Sequence, residues 1–128
     1  MKVTKAMPIE VVDAIEPVLA LWEKRLGYAL VMRVPETGPM GFAILENNGH
    51  TVGFQTRESM LEDVPAMAPH IQGPCVFQYM HVESLAAVLE SLEGYTLLAG
   101  PRETWYGAKE VFLQDPAGYI AAFSEHKH

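Results

Sequence analysis

A single cysteine, Cys75, stands among the 128 residues, so no intrachain disulfide can form and a reducing, cytoplasmic compartment is expected. No neighbouring pattern marks Cys75 as a nucleophile, and it is expected as a small buried apolar residue. No apolar run reaches the roughly 20 residues that a membrane span needs, which excludes an integral helical membrane protein. The basic start, Met1-Lys2-Val3-Thr4-Lys5, has no signal-peptide apolar core behind it, because Glu10 and Asp13 interrupt the run. Lysine and arginine are scarce, 9 against 16 aspartates and glutamates. They form neither a run nor an aromatic-interleaved stripe, so nucleic acid is not an expected partner. A glycine-rich phosphate loop, a nucleophile elbow and paired cysteines are also missing.

What is present is apolar content, 49% of residues, enough for a core in one compact domain over residues 1–128. The net charge of −7 slightly favours a neutral or cationic small ligand over an anionic one. The sequence also repeats. Leu21-Trp-Glu-Lys-Arg-Leu-Gly-Tyr-Ala-Leu-Val31 reads back as Val88-Leu-Glu-Ser-Leu-Glu-Gly-Tyr-Thr-Leu-Leu98. The turn Asn47-Asn48-Gly49 and the strand after it return at Pro116-Ala117-Gly118, so that Phe54 falls on Phe123. Two copies, each too small to close its own core, imply a paired architecture with a cavity between them.

Periodicity fills in each copy. Met7–Val12 alternates as a strand, and Pro17 sits in the first turn of a helix whose stripe is Val18, Leu21, Trp22 and Leu26. Gly27 is a left-handed stop, Tyr28–Val34 a strand, and Phe42–Glu46 with His50–Thr56 a hairpin about Asn48-Gly49. Residues 57–74 carry Pro65, Pro69 and Gly73-Pro74 and read mainly as a linker, with a short helix possible around Glu58 and Leu61. The second copy gives a strand over Cys75–Val82, a helix capped at Glu83/Ser84, a strand over Tyr95–Ala99 and a loop from Gly100 to Gly107. Strands over Glu110–Gln114 and Tyr119–Glu125 close it. The modules are therefore β-α-β-β-β at 6–56 and 75–125.

A first helix reading Leu21-Trp22 to Leu26-Gly27-Tyr28, with Asp115-Pro116-Ala117-Gly118 before the last strand, resembles the vicinal oxygen chelate superfamily. That group includes glyoxalase I, extradiol dioxygenases and bleomycin-resistance proteins. The resemblance implies an α+β fold in which two tandem β-α-β-β-β modules form a curved mixed-sheet cup, and it implies metal ligands on the first and last strands of each module. Here those positions fall on Ala6, Gly53, Phe77 and Ala122, none of which can bind a cation. No metal and no cofactor is expected.

Residues in phase with those positions are expected to face the cup: Glu10 on the first strand, Gln55 on the fourth, and Phe77, Tyr79 and His81 on the fifth. Val52, Phe54, Ala121 and Phe123 are expected to pack against the helices. Trp105 is expected at the rim. An apolar cleft with few convergent polar groups describes a small-molecule site, here sequestering an aromatic or cationic compound. The alternative is an isomerase, lyase or dioxygenase-type enzyme using Glu10 and His81 for acid–base chemistry, or a relocated metal. His126-Lys127-His128 reads as a solvated tail. Strand edges favour a homodimer.

Overall fold

The computed structural model describes residues 1–126. They fall into two compact units, one of Pro8–Val76 and one of Met1–Met7 with the residues from Phe77 onward. The strand β1 (Val3–Val12) therefore contributes its first half to one unit and its second half to the other.

The Pro8–Val76 unit continues from β1 through α1 (Glu16–Trp22), β2 (Ala29–Val34), β3 (Phe42–Asn47), β4 (His50–Thr56) and α2 (Arg57–Asp63). Its strands lie in the order β2-β3-β4-β1, with β4 and β1 parallel and the other pairs antiparallel. Proline in the first turn starts α1, where the missing N–H has no intrahelical partner to lose. Asn48 and Gly49, both at positive φ, close the β3–β4 hairpin as their side chains permit. The helix-facing core gathers Ile15, Ala43, Leu45, Val52 and Phe54, with Trp22 edge-on to both Tyr28 and Phe54. Val52 and Phe54 thus take the helix-packed side that alternation predicts.

The segment read as a linker folds. Thr56 caps α2 by accepting from the Ser59 N–H at 3.1 Å, and a 3-10 turn follows at Pro65–His70. Met60, Val64, Met67 and Ile71 from this stretch are all buried. Of the prolines that suggest a loop, Pro65 opens the 3-10 turn, where no intrahelical N–H is lost, Pro69 lies inside it, and Pro74 lies beyond it. Arg57 ties the stretch down, donating to the carbonyls of Val11 (3.1 Å) and Gly73 (3.0 Å).

The other unit contains β5 (Cys75–Val82, from Phe77), α3 (Leu85–Ser91), β6 (Leu97–Glu103), β7 (Ala108–Gln114) and β8 (Ile120–His126). The order is β5-β8-β7-β6, again with the first pair parallel. Ser84 caps α3 through the Ala87 N–H at 3.1 Å. Val82, Leu85, Val88, Val111 and Phe123 form the helix-facing core, with Ala121 packed against it.

Two expectations are corrected here. Cys75 is only partly buried. And the strand read as ending at Ala99 runs on to Glu103, taking up half of the expected loop. Gly100 makes this possible: at φ +86° a Cβ there would lie 2.5 Å from the Glu110 carbonyl oxygen, so only glycine lets β6 approach β7 across its bulge. Among the described residues no helix is long and apolar enough to cross a membrane.

Candidate functional site

Register decides which side chains share a face. In the unit built on β5–β8, Tyr79 pairs with Ala122 and His81 with Ser124, while β7 sets Phe112 opposite Ala122 and Glu110 opposite Ser124. Arg102 of β6 stands opposite Glu110. Neighbours across a sheet point to the same side, so Arg102, Glu110, Ser124 and His81 form one row. Ala121, Phe123 and Met80 occupy the opposite, helix-packed face.

Glu110 is the centre of this row and is 1% exposed. A buried carboxylate is tolerable only when its lone pairs are used. Its Oε1 accepts from Arg102 Nε at 3.1 Å and Nη2 at 2.9 Å, and its Oε2 accepts from the Tyr79 hydroxyl at 3.0 Å and the Tyr106 hydroxyl at 2.7 Å. All four lone-pair sites are taken. Burial and the Glu110 charge push Tyr79 up to about 12. Tyr106 is also driven upward, first by burial and then by its neighbours Tyr79 and Glu110. Both phenols stay protonated at neutral pH.

Beside this network His81 and His126 stack, with ring centroids 4.2 Å apart and planes 9° from parallel. Tyr79 spends its only proton on Glu110, so its oxygen accepts at the 3.4 Å contact with His126 Nε2. Desolvation, the His126 ring and the Lys5 charge together lower His81 to about 4. His81 is neutral at pH 7. Tyr106 stacks obliquely on His126 at 6.0 Å, and Trp105 meets Tyr106 edge-on at 5.3 Å while remaining 78% exposed. The face thus grades from a buried carboxylate, through stacked imidazoles, to an open aromatic edge.

The structure brings together Tyr79, His81 and, at the exposed end, Trp105. Phe77 lies on the same strand phase but is buried against Phe112 at 6.0 Å. Gln55 belongs to the Pro8–Val76 unit, paired with Val11 and Phe42, and donates to the Ser59 hydroxyl at 3.2 Å. Glu10 takes the opposite phase to the expected one. It pairs with Phe54, on the face packed by α1, and Val12 of the same phase packs into that core. Partial burial raises its pKa. The reason for the reversal is that both phases of β1 are largely apolar, so alternation does not distinguish them.

Glu110, Arg102 and His126 escape the sequence reading. Ala108, Glu110 and Phe112 alternate in a single phase, but with β7 taken to begin at Glu110 that phase is one residue short of visible. His126, read as solvated tail, is the last residue of β8 and stacked; Lys127 and His128 of that tail lie outside the described residues.

The chelate positions can be tested directly. Gly53 lies between Ile9 and Ile44, Ala122 between Tyr79 and Phe112, and Phe77 against Phe112. These three supply no lone pair, and Ala6, which shares the reversed phase of Glu10, supplies none either; these residues do not fit the divalent ion that the resemblance implies. Among the described residues no group of three or more His, Cys, Asp or Glu is placed to hold a metal.

No protein-family model and no curated protein matches the chain. Solved structures do. A hypothetical protein from Bacillus halodurans superposes with a TM-score of 0.75 at 18% identity, over 100% of this chain and 97% of that one. A glyoxalase/bleomycin resistance protein/dioxygenase superfamily member from Vibrio splendidus gives 0.71 at 16% identity, over 97% and 99%. A methylmalonyl-CoA epimerase from Mycobacterium tuberculosis gives 0.72 at 18% identity, over 98% and 90%. At these identities the likeness is one of architecture, and on it the chain has the α+β fold of the vicinal oxygen chelate superfamily.

Proposed function

We propose that this chain is a small-molecule-binding protein of duplicated modules that holds an aromatic compound against the Tyr79–His81–His126–Tyr106 face without transforming it. It acts as a cytoplasmic homodimer, uses no metal, and engages neither nucleic acid nor membrane. One observation carries the reading: Tyr79, Tyr106 and His81 are each held away from the protonation state that catalysis at neutral pH would exploit. Tyr79 and Tyr106 are locked as donors to Glu110, whose lone pairs are filled, and His81 is a weakly basic neutral ring. General acid–base catalysis works best with a pKa near the working pH. Glu10, the other half of the acid–base alternative, pairs with Phe54 on a helix-packed face.

A melting-temperature screen against flat aromatic compounds tests this. A ligand that binds only the native state adds about 2.7 kcal/mol at a hundred times its Kd. Trp105→Ala, at an exposed side chain, is expected to weaken any hit without lowering the melting temperature of the free protein. Hits indifferent to Trp105 and to Tyr106→Ala would place binding elsewhere and end this reading. A stoichiometric metal ion in elemental analysis of the purified protein would end its metal-free part.

A further inference from the structure

The chemical class of the ligand follows from which polar groups on this face are already engaged. Glu110 is the buried anion and would be the natural attractor for a cation. Its four hydrogen bonds from Arg102, Tyr79 and Tyr106 leave it no lone pair to offer, and the Arg102 guanidinium at 2.9 Å balances its charge. The groups with no acceptor among the described residues are all able to donate. The His81 ring makes only ring contacts there, to Tyr79 and His126. The Ser124 hydroxyl, in register with both His81 and Glu110, is 0% exposed, lies beside the Tyr79 hydroxyl and makes no well-aligned hydrogen bond among the described residues. Lys5 is exposed and follows Thr4, whose hydroxyl donates to the His81 carbonyl at 3.3 Å, and its charge opposes protonation of His81.

Resting on the binding role proposed above, we infer that the ligand is a small aromatic anion, an arene bearing a carboxylate, with its ring on the His81–His126 stack and its charge toward Lys5. This reverses the preference that net charge suggests. A total of −7 describes the whole surface, whereas a bound molecule meets the charges within about 8–10 Å of it, the screening length at ordinary salt. Those established at this face are the Glu110–Arg102 pair, whose charges balance, the neutral His81 ring, and Lys5, which makes no ion pair among the described residues.

Three matched indoles decide it: indole-3-carboxylate, neutral 3-methylindole and cationic 3-aminomethylindole, each titrated by melting temperature and by tryptophan fluorescence. The carboxylate is expected to bind tightest. Lys5→Ala should weaken it about three- to fivefold, the scale of an exposed ion pair, and leave 3-methylindole unchanged, with Lys5→Arg restoring the difference. Added salt should narrow the gap between carboxylate and neutral compound. Equal binding of all three, tightest binding of the amine, or indifference of the carboxylate to Lys5→Ala would overturn the anionic assignment while leaving aromatic binding in place. Failure of all three compounds to bind would overturn both.

Discussion

Strands that hold the same place in the two units carry opposite chemistry. Across β2-β3-β4-β1 one row reads Val34, Phe42, Gln55, Val11; across β6-β7-β8-β5 its counterpart reads Arg102, Glu110, Ser124, His81. The adjoining rows differ less, with Gly53 beside Ile9 in one and Ala122 beside Tyr79 in the other. On the helix-packed side the two units match in character: Val52 and Phe54 pack under α1 as Ala121 and Phe123 pack by α3. The helix-facing side must bury apolar surface in both units or neither folds. The opposite side carries no such shared requirement, and there one unit presents a mostly apolar row and the other a polar, aromatic one. Function is therefore to be sought in the polar row.

The comparison breaks most sharply at Glu110. Glu110→Ala leaves the Arg102 guanidinium, the buried Tyr79 phenol and the more exposed Tyr106 phenol without their acceptor, and a loss of about 3–5 kcal/mol in urea denaturation is expected. Gln55→Ala, at the equivalent region of the other unit, removes one hydrogen bond to Ser59, expected to cost about 1 kcal/mol. Equal losses at the two sites would mean that the polar row holds no special place in the fold.

A middling effect is expected from pH. His81 has a folded pKa, about 4, below its ordinary 6.5, so the unfolded chain takes up its proton first as pH falls. Its contribution is complete above pH 6.5, declines between there and about 4, and levels off below. The ring is only partly buried, so screening keeps the slope modest. Melting temperature followed across that window should fall in the native chain and flatten in His81→Gln. An identical profile in the variant would locate the titration elsewhere.

The smallest difference concerns the helix caps, where the units should behave alike. Thr56→Ala and Ser84→Ala each remove an acceptor for an N-terminal N–H, and each should cost about 1 kcal/mol. A much larger loss at Thr56 would show that α2, in the segment read as a linker, braces its unit more strongly than α3 braces the other.

Much of the architecture was legible because its signals are local. β4 and β5 have the bounds that alternation and turn residues predict, and Ser84 caps where its position suggests. Phe77, Tyr79 and His81 share the expected phase because Met80 and Phe123 are apolar on the other side, under α3. The first strand was not legible in this way. With Met7, Ile9 and Val11 in one phase and Pro8, Glu10 and Val12 in the other, only pairing with β4 could show that Glu10 sits beside Phe54.

Short-range pattern alone determined the strand–helix–strand–strand–strand order on either side of residues 57–74, and residue identity alone determined that Gly53, Phe77 and Ala122 offer no lone pair. Each of these depends on residue identity or on neighbours a few positions apart. The tertiary structure alone decided the Glu110 network and the stacked imidazoles. Tyr79 reaches Glu110 across 31 residues, and His81 and His126 lie on β5 and β8, the first and last strands of their half of the chain, so their meeting depends on strand register, a long-range property that no local pattern encodes.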